Sequence, residues 1–532
     1  MEPTNRYGPV LDKYLEMGRF QLQKQMSYSS PRSPSREDIR QAILQLSDPE
    51  KVTYLTFETI LSLEDTEACS DLELLLSDAA KDSLPACFRL ASAYCQGGRL
   101  MFDHAYGFLC VKVIALLVQV AMIFRSGHVQ TFVKLLALSC AEQSIFSPFT
   151  NTMYNLIAEI MVDQLDSGPS ARHERFGWDH GSTGGAKHCL PEIGGCATGQ
   201  IQLLLSQLWN SRAGFLACGS QGREALFPGF SGFLCWIWRG VAQQYGLPGQ
   251  TQNMAPAWTQ LVDLSTRFTL YCSDREADLM SYVLLACPAY ARDGPIIDKS
   301  SSAVDAQDRT RIATMTPRKI RSGTELPLRF VTNLFCFACP SVDYQENILD
   351  IFSAKIDRLW FEIDQISDWE QLGDKDLPIF CQAFLHVLTV IQDRDPEIFL
   401  KLLSGIGESL YAGIGRVILL ALSSSNSLKA GRSLDNLKLL LDRTSYYVRD
   451  MYTRTRIEAP LEAAIHIFPT WNKVALQLRF LELFQDQHHG QITKHASEWY
   501  HSWSMTAIWF QGPNSLESML TCAYPRCPTV VD

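Results

Sequence analysis

The sequence predicts an all-α protein built from stacked helical pairs, and three observations predict it. Apolar residues recur every three or four positions across segments of roughly 10–18 residues, which is the spacing of one helix face. Alternating runs of β-branched residues, the signature of strands, are scarce. The densest apolar stretch, Tyr106 to Cys140 (YGFLCVKVIALLVQVAMIFRSGHVQTFVKLLALSC), reads as two helices joined at Arg125-Ser126-Gly127. An irregular α-solenoid of the armadillo or HEAT kind is one form such a stack takes, although no strict period of about 34 or 40 residues can be read off.

Taken in order, residues 1–34 are polar and end in Ser29-Ser30-Pro31-Arg32-Ser33-Pro34, so they are expected to be a mobile tail whose Ser-Pro steps are candidate phosphorylation sites. Regular structure should begin at Ser35. With Asp38 three residues on, it makes a capping-box start for a helix carrying Ile39, Ala42, Ile43 and Leu46. Asp48-Pro49 reads as a second N-cap followed by proline in the first turn. Further helices fit 71–81 and 84–95, the latter ending near Gly97-Gly98, then the apolar pair and a helix over 150–165; together these form an N-terminal helical block, 35–166.

Within the apolar pair, the run Phe108 to Phe124 is interrupted only by Lys112 and Gln119, which lie seven apart and share a face. A helix apolar almost all round is a buried one, and the length also approaches the roughly 20 residues that cross a bilayer. Lys112 would then sit in hydrocarbon at a cost of about 2.5–3.5 kcal/mol, so a core helix is the main expectation and a membrane anchor over 108–124 an alternative.

Residues 167–199 break the helical pattern as a Gly/Ser/His-rich loop holding His173, His180, His188, Cys189 and Cys196. Imidazole and thiolate are donors that zinc prefers, but no C-x2-C or H-x3-H spacing is present. A central helical block, 200–290, includes the aromatic run Phe230 to Trp238 and a helix opening at Ser273-Asp274 with Glu276 in its first turn. Residues 291–327 read as a polar, locally basic linker with Arg309, Arg311, Arg318, Lys319 and Arg321. In the C-terminal helical block, 328–517, the clearest helix lies between Val342 and Ile366. Its apolar stripe is Ile348, Phe352, Ile356, Leu359, Ile363 and Ile366, with Asp350, Lys355, Asp357 and Asp364 elsewhere around it.

Composition narrows the function. The chain has 532 residues, 46% hydrophobic and 20% charged, values of a folded chain with a sizeable core. A formal net charge of -10 supplies no global field for nucleic acid or anionic lipid, so neither is an expected partner. The first 20 residues lack a secretory or mitochondrial leader pattern, and sixteen cysteines set largely in apolar runs fit a reducing, intracellular setting, cytoplasmic or nuclear.

Catalytic motifs fail on spacing. Gly405-Ile406-Gly407 with Gly413-Ile414-Gly415 is not G-x-G-x-x-G. Gly219-Ser220-Gln221-Gly222 has Cys218 where a nucleophile elbow needs glycine. His173-Glu174 lacks the second histidine of H-E-x-x-H, and Cys336-Phe337-Ala338-Cys339 is a lone C-x2-C in an apolar run, expected to be core.

The C-terminal stub, 518–532, differs. Cys522-Ala523-Tyr524-Pro525-Arg526-Cys527-Pro528 holds two thiols in a turn-forming segment, half of a tetrahedral zinc site, which His488 and His495 would complete if they share a helix face. This segment, after a long helical body, resembles the opening of the MYND-type zinc finger that ends many uncharacterised fungal proteins of this helical kind. The resemblance implies zinc held first by Cys522 and Cys527, and binding to short peptide segments of partner proteins. The C-x4-C spacing is wider than that family's usual C-x2-C. The family's finger continues with further Cys pairs and a closing His and Cys, which implies a truncated or alternatively spliced chain at Asp532.

The function expected from these features is an α-helical scaffold or protein-interaction module, not an enzyme, with zinc linked through Cys522 and Cys527 and protein partners. The alternatives are a metal-dependent enzyme using His173, His180 or His188 with Glu174 or Asp179 as base, and the membrane-anchored protein.

Overall fold

The computed structural model describes residues 6–16, 34–64, 69–76, 80, 82–125, 127–139, 149, 152–153, 155–160, 198–220, 229–245, 255–285, 303–323, 326–339, 347–365, 376–394, 396–423, 438–443, 446, 468–484, 497–501 and 503. The described residues are helical throughout apart from turns and one isolated bridge, Val10 with His104, so the all-α expectation holds. The chain divides into two compact units, Met1–Ala291 with Ala303–Arg311, and Arg292–Ser302 with Ile312–Asp532.

In the first unit, α1 (Arg36–Gln45) starts as the sequence predicts. Ser35 Oγ accepts from the Asp38 N–H at 3.2 Å, while the Asp38 carboxylate accepts from the Ser35 N–H at 2.9 Å. Helix α2 (Tyr54–Leu61) begins later than Asp48-Pro49 suggests, from the N-cap Thr53; Asp48 instead closes a turn, accepting from the Glu50 N–H at 3.3 Å and pairing with Lys51 at 2.8 Å. The expected helix over 71–81 is a 3-10 segment, Cys69–Leu76.

Next come α3 (Ser83–Gln96), α4 (Ala105–Arg125) and α5 (Val129–Ser139), with Gly127 at φ +75° turning the chain where Arg125-Ser126-Gly127 was read as a joint. The central helices are α6 (Thr198–Asn210), α7 (Arg212–Ser220), α8 (Phe230–Tyr245), α9 (Ala255–Thr269) and α10 (Asp274–Leu285).

Helix α4 is the core of this unit. It packs on α2, α3 and α8, and 83% of its 18-residue apolar window is buried. By length and composition it would cross a membrane, yet lipid would have to replace those three helices. Lys112, the cation within that apolar run, reaches Glu64 at 3.1 Å, and Gln119 is buried. The aromatic run on α8 is also core: Phe230, Phe233, Trp236 and Trp238 are buried, and the Phe230 ring packs at a tilt against Phe215 and Phe268.

Two sequence expectations are corrected here. The tail expectation for 1–34 fails at residues 6–16, which pack on the first unit: Leu11 and Leu15 are buried, and Tyr7 sits edge-on to Tyr94 and Tyr106, both at 5.3 Å. The linker expectation for 291–327 fails because Ala306–Ser322 forms α11, in which Asp308, Ile312, Thr316, Lys319 and Ile320 are buried. Its polar composition hides an inward face that is partly charged.

The second unit contains α12 (Leu328–Ala338), α13 (Asn347–Gln365), α14 (Asp376–Arg394), α15 (Pro396–Ser423) and α16 (Phe468–Phe484). Each packs on its sequence neighbour or next neighbour: α12 on α13 and α14, α13 on α15, α14 on α15, α15 on α16. Such near-neighbour packing is what stacked helical pairs produce. Helix α13 carries the expected stripe, with Ile348, Phe352, Ile356, Leu359 and Ile363 all buried. The glycines Gly405, Gly407, Gly413 and Gly415 all lie inside α15 rather than in a phosphate-cradling loop. At the far end Trp471 stacks on Trp503 at 4.1 Å, and Trp503 Nε1 donates to the Trp471 carbonyl at 2.9 Å.

Candidate functional site

The residues singled out for zinc, Cys522 and Cys527 with His488 and His495, lie outside the described residues, as do His173, Glu174, Asp179, His180, His188, Cys189 and Cys196. Cys522 and Cys527 supply two of the four donors a tetrahedral site takes. Among the described residues, no group of three or more His, Cys, Asp or Glu side chains is placed to hold a metal ion.

The C-x2-C pair is core, as expected, and has company that sequence reading missed. Cys336 and Cys339 at the end of α12, and Cys381 on α14, are buried around Lys355 of α13, which is fully buried. Lys355 Nζ lies 3.9 Å from the Phe335 ring centre, 4.3 Å from Phe380 and 5.5 Å from Phe384, and donates to the Phe380 carbonyl at 3.3 Å. The ammonium is therefore solvated by π faces and one carbonyl in place of water.

Burial pushes the Lys355 ammonium down to about 8, with the neighbouring thiols acting in the opposite direction. Burial likewise pushes the Cys336 thiol up to about 11 and Cys381 up to about 12, with Lys355 offsetting part of each rise. Protonated, enclosed thiols are inert ones, so the arrangement holds a cation and does not build a nucleophile. The signal was present in the sequence. Lys355 lies three residues after Phe352 and four before Leu359, on the apolar stripe itself.

A second buried charge centre lies in the first unit. Arg267 of α9 donates through Nε to Asp263 at 2.5 Å and through Nη1 to Asp308 of α11 at 2.6 Å, with all three side chains fully buried; Arg212 of α7 approaches Asp263 at 3.9 Å. Burial works against the Arg267 charge, and the two carboxylates outweigh it, so the guanidinium holds its proton more firmly than usual. Burial raises the Asp263 carboxyl, while Arg267 and Arg212 pull it back. On α10, Glu276 does not merely complement a helix dipole: it is buried and accepts from the Ser231 hydroxyl at 2.9 Å. Both centres join helices and hold no group open to a substrate.

Among the described residues, one feature open to a partner is a groove of about 540 Å³ along α1 and α2. Asp38, Gln41 and Gln45 line it from α1, and Thr53, Leu55 and Thr59 from α2. Leu55 is 53% exposed, an apolar side chain standing among amides and hydroxyls. The volume falls in the range of sites that take small molecules or short peptide segments, roughly 300–1,000 Å³.

No family model matches this sequence, and no curated protein matches it. A solved structure described as a circular tandem repeat protein with novel repeat topology and enhanced subunit contact surfaces aligns over 89% of this chain and 97% of its own, at 13% identity and a TM-score of 0.22. That value lies below the level at which two folds correspond.

Proposed function

We propose that this chain is an α-helical scaffold that binds segments of protein partners. The observation that carries the reading is the α1–α2 groove, which offers an exposed leucine among hydrogen-bonding side chains, with one carboxylate, Asp38, and one ammonium, Lys51, in its lining. Helical stacks bind partner segments along such grooves, with an apolar anchor for affinity and amides or hydroxyls for orientation. An intracellular setting belongs to the same reading, supported by thiols such as Cys110, Cys235 and Cys381 that are packed in the core as small apolar groups. So does zinc at Cys522 and Cys527, supported by the resemblance of that segment to a MYND opening.

The test is proximity labelling in cells with the full chain and with the pair Gln45→Arg, Leu55→Glu. A partner set labelled by the first and lost with the second, at equal helicity and abundance, supports the reading. Identical sets would remove the groove, and with it this function. For zinc, metal content should fall to background in Cys522→Ser, Cys527→Ser; content unchanged by those substitutions removes the finger.

A further inference from the structure

Residues 6–16 are seated on the first unit as a bound peptide is seated, not as a helix in a stack. The segment enters at the helical pair Arg6-Tyr7, turns at Gly8 with φ +72° where a side chain would strike the Tyr54 ring, and closes in a six-residue helix, 11–16, that buries Leu11 and Leu15, four residues apart. Its main chain exchanges two hydrogen bonds with the loop before α4: Leu11 N–H to the Asp103 carbonyl at 3.1 Å, and Ala105 N–H to the Pro9 carbonyl at 3.0 Å. Side chains hold both ends. Arg6 donates to the carbonyls of Val52, at 3.2 Å, and Pro49; Arg99 lies over the Tyr7 ring at 4.4 Å; the Tyr14 hydroxyl donates to Glu58 at 2.7 Å.

The rings of the floor beneath also hold one another. Tyr106 of α4 packs on Phe57 of α2 at 5.0 Å and stacks on Tyr94 of α3 at 5.4 Å, and the Tyr94 hydroxyl bonds His104 at 3.0 Å. An aromatic floor whose rings contact one another, with Arg99 at its rim and Glu58 at its far end, is the anatomy of a docking site already holding its occupant.

We propose that the seat on α2, α3 and α4 is a peptide-docking site filled in cis by residues 6–16, and that a segment of the same chemistry takes it in trans. That chemistry is arginine, an aromatic residue and glycine, followed by two leucines four apart. Residues 17–34 join the occupant to the fold, and a connection of that length sets a local concentration on the order of mM. A free competitor at tens of micromolar is therefore held off until the connection is cut or the cis segment is weakened. This site is separate from the α1–α2 groove and stands or falls independently of it.

The experiment inserts a specific protease sequence between residues 20 and 30 of the full chain and follows a fluorescent peptide of residues 5–17 by anisotropy, before and after cleavage. Cleavage should raise peptide uptake at least ~10-fold, with release of the original segment seen by mass spectrometry. A peptide carrying Tyr7→Ala and Leu11→Asp should bind at least ~10-fold more weakly. Leu11→Asp in the uncleaved chain should admit the unaltered peptide; if that variant does not fold, the cleaved chain carries the test alone. Equal uptake before and after cleavage, a cut segment that never exchanges, or equal binding of the altered peptide would each overturn the proposal.

Discussion

Arg267 and Lys355 are both cations without solvent exposure, and the two units house them in opposite ways. The first unit surrounds Arg267 with the carboxylates of Asp263 and Asp308, so its charge is reinforced. The second surrounds Lys355 with three phenylalanine rings and three thiols, so its charge is merely tolerated and its proton is loosely held. A guanidinium cannot shed its proton and must be paired, whereas a lysine can answer burial by a lowered pKa. The first centre is thus a fixed staple, and the second is a stored cost.

The largest expected effect breaks the staple. Asp308→Ala leaves Arg267 buried without one of its two carboxylates and should lower stability by about 3–5 kcal/mol, read as a fall in the urea midpoint at unchanged slope. A smaller loss than for the exposed Arg321 pair below would mean that the centre is solvated. Lys355→Met should act with the opposite sign and stabilise the fold at pH 7 by up to about 3 kcal/mol.

The pH window follows from the lowered pKa. Below pH 8 the lysine is protonated in both states and the full penalty of burying the charge applies. Between pH 8 and about 10.5 only the unfolded chain binds the proton, so the penalty fades as pH rises and is gone above that range. The advantage of Lys355→Met over the parent should shrink across this window in parallel urea titrations. Cys336 and Cys381 oppose it in the parent chain, since their raised pKa values remove stability from pH 9 upward; because Lys355 holds part of that rise back, the variant loses more there, and the difference between pH 8 and 9 isolates the lysine. An advantage independent of pH would mean that Lys355 is not the titrating group.

Two smaller changes sharpen the contrast. Phe335→Leu takes away the nearest ring and should destabilise by about 1–2 kcal/mol at pH 7, an effect that should fall when repeated in the Lys355→Met background. Arg321→Ala removes an exposed fork to Asp350 at 2.7 Å and Asp357 at 3.2 Å, and should cost less than about 1 kcal/mol, less still in high salt.

What could be read from the sequence was local. The Ser35–Asp38 box, the turn at Gly127 and the apolar stripe of α13 each depend on residues within a few positions of one another. The same holds for the core reading of Cys336 and Cys339, whose neighbours are apolar on both sides. Asp308 escaped because its partner, Arg267, is 41 residues away and its own surroundings are polar. Residues 6–16 escaped because two leucines and a tyrosine are too few to set a period, and their seat is made by α2, α3 and α4. Lys355 was legible but outvoted, a charge assigned by type to the outer part of a helix whose spacing placed it inside. The residues named for zinc remain expectations of the sequence.

The stacked indoles at the end of the second unit give the molecule an optical reporter. With ring centres 4.1 Å apart, Trp471 and Trp503 share their excited states, so their transitions should split into a paired signal of opposite signs in circular dichroism. The part of that signal owed to this pair, as distinct from Trp238 with Trp258 at 6.3 Å, lasts only while residue 503 remains docked on α16. Its disappearance would time the loosening of this end of the chain against the helical signal of the rest, without any label being introduced.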